Sequence, residues 1–299
     1  MTVQHPLTIP ARSQSARMEN WSRAFYRFRQ SWLSMIGLAI VILLIVAALL
    51  APYIVPYPEH VGGVTNTAAR FQPPSADAWF GTNELGQDIF SLVLVGSQVS
   101  LFSGLAVVFI AVVVGTAIGA IAGYVGGWAD ETLMRVTDLF LTIPSLILAM
   151  AVAAALGTGV FNMIVAISVT WWPAYARLVR GEVIGKKEEQ FVVAARALGA
   201  GPLRILCRHI LPNIVSPVVV KASLDMGFAI LTVASLGFVG IGVKPPTPEW
   251  GTLLSTARSY MPDYWWTAVA PGMAIFLAVF AFNLLGDGLR DILDPKARR

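Results

Sequence analysis

Residues 31–55 hold no charged side chain and are long enough to cross about 30 Å of hydrocarbon as a helix. A run of that kind makes the chain a membrane protein and leaves the number and direction of its crossings to be settled. Composition agrees: 56% of residues are hydrophobic and 13% are charged, about half the charged share of a soluble domain. A cleaved signal peptide is the alternative for this first run. The segment before it is too long and the apolar stretch exceeds the usual signal core, so it is read as an uncleaved span. The single cysteine, Cys207, gives no disulfide framework and no Cys-based metal site.

Further spans are predicted at about 97–124, 133–156, 160–176, 214–243 and 268–285, which makes an all-α membrane protein of six transmembrane helices. In the second, Ala111, Gly115, Gly119 and Gly123 recur every four residues. Such a stripe lets another helix backbone approach closely, whether in this chain or in a partner subunit. The third holds Pro144, and its Arg135 and Asp138 share a face and are read as an ion pair at the membrane edge. Gly157-Thr158-Gly159 breaks the run, and Trp171-Trp172-Pro173 of the fourth reads as an anchor at the headgroups. The fifth contains Asp225, a candidate for the translocation pathway, with Lys221 four residues earlier as its neutralising partner. Loops 56–96 and 244–266 are rich in Pro and aromatic residues rather than charge and read as contact surfaces.

Lys and Arg set the orientation. The tail 1–30, the loop 177–213 and the tail 290–299 hold 16 of the 21 positive residues, among them Arg12, Arg17, Arg23, Arg27 and Arg29 at the start and Arg290, Lys296, Arg298 and Arg299 at the end. Both termini and the central loop are therefore expected to be cytoplasmic, bracketing a permease domain at 31–289. The same distribution accounts for the net charge of +4 without nucleic acid.

The central loop is a basic island between apolar spans. Phe191, Ala195 and Leu198 fall on one helical face, Gly199 suits a left-handed helix end, and Pro202 suits the first turn of a second helix. Leu203, Leu206 and Ile210 repeat the stripe until Pro212. Two short amphipathic helices joined by a Gly-Ala-Gly corner make a docking element for another protein; a solvated surface loop is the plainer alternative. No GxxxxGK[ST], HExxH or GxSG sequence occurs, so neither a phosphate loop of its own nor a protease centre is expected.

Ala194-Ala195, Gly199 and Leu211-Pro212 resemble, in order and spacing, the EAA loop of membrane subunits of binding-protein-dependent ABC transporters, with Val193 where that pattern has Glu and His209 where it has Ile. Four blocks extend the likeness to the dipeptide, oligopeptide and nickel permeases of C type. They are LLAPYIVPY with FGTNELGQD, then GYVGGWADETLMRVTD, SLGFVGIGVKPPTPEWGTLL and FNLLGDGLRDILDP. Gln87 stands where many relatives carry a basic residue. The resemblance implies the type I ABC importer permease fold in a bacterial inner membrane. It implies a second homologous permease as heterodimer partner, two cytoplasmic ATPase subunits that bind ATP and Mg, and an extracytoplasmic solute-binding protein. This chain itself would hold no cofactor and catalyse nothing. It casts Ala194, Ala195, Gly199, Ala200, Gly201, Leu211 and Pro212 as the ATPase-coupling set. Peptides or peptide-like solutes are the expected cargo, and nickel or a metal chelate is the alternative, though the spans offer no His cluster to ligate it. A secondary transporter or channel is the rival class, disfavoured by the near absence of charge within the spans.

Overall fold

The computed structural model describes Tyr26 and residues 28–293; most of the two tails, with Arg12, Arg17, Arg23, Arg27, Lys296, Arg298 and Arg299, lies outside the described residues. Among the described residues the elements are helices and turns, with one isolated bridge between Thr82 and Asp88 and no sheet. In chain order the helices used below are α1 (Trp32–Ile54), α2 (Ile89–Val125), α3 (Gly127–Thr142), α4 (Ser145–Leu156), α5 (Val160–Lys187), α6 (Gln190–Ala197), α7 (Pro202–Val239), α8 (Trp250–Ala257) and α9 (Trp266–Leu293).

Four of these, α1, α2, α7 and α9, are long and apolar enough to cross a membrane, and α3 with α4 passes the same test only as a pair bent by 91°. The single helix expected over 133–156 is thus broken at Ile143-Pro144. Proline cannot donate to the helical ladder, and its ring drives the residue before it out of the helical region, where Ile143 sits at φ −94° and ψ 129°. The fourth expected span, 160–176, is the first part of a longer helix: α5 continues to Lys187 and carries Arg177, Arg180 and Glu182 on the way.

Packing follows side-chain size. The four-residue stripe of α2 meets α5 of the same chain. A Cβ placed on Gly115 would lie 2.5 Å from the Tyr175 Cβ, and one on Gly119 would lie 2.3 Å from the Ala176 carbonyl oxygen. Only hydrogen fits at those two positions, so the helices touch backbone to backbone. Val107, Val108, Ile164 and Ile167 continue this core outward with Ala229, Val233 and Leu236 of α7. Ala120, Val179, Val183 and Ile214 continue it toward the central loop.

At the end of α2 away from the central loop, the polar block before that helix is a knot rather than a loose loop. Asp88 caps α2 by accepting from the Ser91 N–H at 2.8 Å, and Gln87 donates to the carbonyls of His60 and Val64, both at 3.1 Å. Part of the loop 244–266 is interior: Trp250 is buried among α2, α7 and α9 and donates its indole N–H to the Val93 carbonyl at 2.9 Å. Glu249, fully buried, caps α8 by accepting from the Gly251 and Thr252 N–H groups at 2.8 and 2.9 Å, while the Ser100 hydroxyl donates to it at 3.2 Å. Burial away from any cation raises its carboxyl above the ordinary range. The expectation that the whole of 244–266 is a contact surface is corrected accordingly; Met261 and Trp265 keep exposed side chains there, as Trp79, Phe80 and Leu85 do on the first loop.

Candidate functional site

The central loop folds as a corner with its back to the core. Helix α6 ends in the paired hydrogen bonds of a Schellman cap, Gly199 N–H to the Arg196 carbonyl and Ala200 N–H to the Ala195 carbonyl, each 3.0 Å. Gly199 takes φ +80°, which a residue with a Cβ adopts only at a cost, and Pro202 opens α7 at its first turn. Both roles are those expected of these residues.

The orientation of the two helices differs from the expected stripes. Val192 of α6, with Ile205 and Ile210 of α7, points inward and joins Val179 and Val183 in one apolar cluster, and Ala195 is buried as well. Phe191, Leu198 and Leu203 face out, and Leu198 and Leu203 are 88% and 75% exposed. A helix apolar on two sides has one side for its own core and one left over, and periodicity alone does not tell which is which. Between the two helices lies a shallow open cavity of about 530 Å³ lined by Phe191, Ala194, Ala195, Leu198, Ala200, Arg204, Arg208 and His209.

Of the coupling set, Ala194, Gly199 and Gly201 are exposed, Ala195 is buried, and Ala200 is half-buried beside them. Leu211 and Pro212 stand apart, within α7 rather than at its start. No break occurs at Pro212, because Ile205–Ile210 is wound as a π-helical turn in which the Leu211 N–H reaches back to the Leu206 carbonyl. The wider turn makes room for the proline ring, and the Asn213 side-chain amide donates to the His209 carbonyl.

A second group of charges fixes the corner's mount. Arg180 binds Asp130 with two nitrogens, the outer contact at 2.7 Å, and Arg177 binds Asp138, so α5 is riveted to α3 at two successive turns. Lys187 closes the row by donating to the Tyr124 carbonyl at the end of α2 at 2.8 Å. The Arg135–Asp138 pair expected from spacing does not form. Arg135 turns to Glu131 at 2.7 Å, one full turn away, and leaves Asp138 to Arg177. The long-range rivets were missed because partners 39 and 50 residues apart leave no local pattern. The one signal available was that Arg177 and Arg180 lie three apart on one helix face, as Asp130 and Asp138 lie eight apart on another.

Lys221 and Asp225, in the middle of α7, do pair, with Lys221 Nζ 3.0 Å from Asp225 Oδ2. The ammonium also sits 5.1 Å from the centre of the Tyr175 ring.

Comparison with known proteins gives these features a context. Residues 115–299 match the family profile described as binding-protein-dependent transport system inner membrane component, and residues 19–74 match the N-terminal TM domain of oligopeptide transport permease C. The chain is 42% identical to the probable D,D-dipeptide transport system permease protein DdpC of Escherichia coli (strain K12), over 97% of this chain and 96% of that one. It is 42% identical to the dipeptide transport system permease protein DppC of Alkalihalophilus pseudofirmus, over 100% and 97%. With the glutathione transport system permease protein GsiD of Escherichia coli O6:K15:H31 it shares 47% identity over 93% and 91%. Among solved structures it resembles a chain of the MetNI methionine ABC transporter in an inward-facing conformation, with a TM-score of 0.53, 19% identity, and coverage of 67% of this chain and 96% of that one. That likeness speaks to the fold alone.

Proposed function

This chain belongs to the family of binding-protein-dependent transport system inner membrane components, and from that premise we propose that it imports peptides or peptide-like solutes. It is a membrane-spanning transport subunit of the bacterial inner membrane, not an enzyme. Relatives named for dipeptide and glutathione transport support the cargo, and nickel is not favoured.

In this reading six crossings are made by α1, α2, the bent pair α3 and α4 taken as one, α5, α7 and α9. Residues 31–289 then form the permease domain, and both short tails are cytoplasmic. A second homologous permease completes the transport unit, and an extracytoplasmic binding protein delivers solute to the outer face that carries Trp79, Phe80 and Trp265. Two ATPase subunits bind ATP and Mg, and their movement enters through Ala194, Ala195, Gly199, Ala200, Gly201, Leu211 and Pro212.

The observation that carries the coupling role is the corner itself: Leu198 and Leu203 stand exposed on a backbone that Val192, Ile205 and Ile210 fasten to the core. An apolar pair held this rigidly can receive force from a docked partner and pass it to α5 and α7 without yielding. Gly199→Asp tests it. Nothing lies within 4 Å of a Cβ at Gly199, and Asp is among the residues that best tolerate a left-handed conformation. The helices should therefore stay folded while the added charge weakens docking. In the purified complex, ATPase co-elution and solute-stimulated hydrolysis should both fall; unchanged values for both refute the coupling role.

A further inference from the structure

The pair in the middle of α7 is too costly to be left facing lipid. Charged side chains at the centre of a bilayer cost about 3 kcal/mol each on insertion scales, and mutual pairing recovers only part of this. Yet the Lys221 and Asp225 side chains stay 31% and 16% exposed, so each keeps an open edge beyond the contact it makes with the other. Beneath them the Tyr175 side chain is fully buried, its hydroxyl facing the Asp225 carboxylate without closing a regular hydrogen bond. An ammonium, a carboxylate and a phenolic hydroxyl therefore meet at one level, on helices α5 and α7 that both lead directly to the corner.

We propose that Lys221, Asp225 and Tyr175 form a dipolar contact site on the solute's route that reads the two charged ends of a zwitterion. At rest the pair closes on itself. A passing solute with a free ammonium and a free carboxylate exchanges partners with it, its ammonium going to Asp225 and its carboxylate to Lys221. Buried charge stays neutralised throughout, which is what a low-dielectric passage requires. The Tyr175 hydroxyl, already beside Asp225, supplies the third contact when the pair opens. A solute with one end blocked leaves either Lys221 or Asp225 unmatched and crosses more slowly. The inference rests on the peptide-importer reading above and names the chemical feature of the cargo that this chain senses.

The test uses the assembled transporter in proteoliposomes with its binding protein in excess and solute-loaded, so that maximal rates report the passage rather than the capture. A dipeptide is compared with its C-terminal amide in three forms of the complex: unmodified, the neutral double variant Lys221→Gln with Asp225→Asn, and the exchanged variant Lys221→Asp with Asp225→Lys. Each rate is taken per assembled complex. The unmodified form should favour the free dipeptide, and the neutral double variant should lose that preference by about tenfold, the size of one charged hydrogen bond. The exchanged variant should keep it, because both charges are still present. A preference unchanged in the neutral double variant overturns the proposal, whatever its effect on assembly, and leaves the importer reading intact. An unmodified complex that imports neither form overturns both.

Discussion

Adding one methyl group at Gly119 tests whether α2 and α5 are held by backbone contact. A Cβ there would stand 2.3 Å from the Ala176 carbonyl oxygen and 3.0 Å from the Arg180 nitrogen. Ordinary contact needs about 3.5 Å, so α5 must retreat by about 1 Å, enough to forfeit a quarter to a half of each dispersion contact along the seam. Because the obstacle is backbone, no rotamer change relieves it, and the cost lies near the upper end of overpacking, about 3 kcal/mol. Alanine returns about 1 kcal/mol through its better helix propensity. The net loss is about 2 kcal/mol, and Gly119→Ala should lower the thermal midpoint of the detergent-solubilised protein by about 4 °C. Gly181→Ala on α5 is the control, since nothing lies within 4 Å of a Cβ there; it should leave the midpoint unchanged or raise it. Should Gly119→Ala behave like Gly181→Ala, the close approach is not what holds these helices.

Glu249, which lies outside the spans, should make stability depend on pH. Glu249 is raised above 4.5 by burial, so its contribution is full below 4.5 and fades as pH rises through the higher value; relative to Glu249→Gln, the unmodified protein should lose ground over that window. Trp250→Phe, which removes the indole donor that the Val93 carbonyl has beside its helical bond, should cost about 1 kcal/mol in the same melting assay. At the corner, Leu198→Asp should leave the melting curve in place and reduce ATPase co-elution, whereas Val192→Asp should unfold the corner itself, a contrast that limited proteolysis near Gly199 reads directly.

What could be read in the sequence was whatever depends on neighbours within a turn or two. Gly199 ends α6 and Pro202 begins α7 because a left-handed φ and a missing N–H are properties of single residues. The glycine stripe was legible as a contact but not as a contact with α5, since four-residue spacing fixes a face and says nothing of what meets it. The same gap explains why Phe191 and Leu198 were grouped with Ala195. Every residue of that set is apolar, and only the cluster of Val183, Val192 and Ile205 on one side decides which face turns in, with Ala195 buried and Leu198 left out. Pro144 and Pro212 show the limit most plainly. Both are prolines within apolar runs, yet one breaks its span by 91° and the other lies in an unbroken helix. The difference is in what precedes them: Ile143 has left the helical region by the time the chain reaches its proline, whereas the residues before Pro212 widen into a π turn, and Asn213 supplies the His209 carbonyl with a donor. A proline's effect is therefore set by whether the surrounding helix has another way to satisfy its ladder. At Pro212 that alternative lies directly between the exposed corner and the Lys221–Asp225 pair, so the stretch that spares the helix also links the surface proposed for docking with the pair proposed to contact solute.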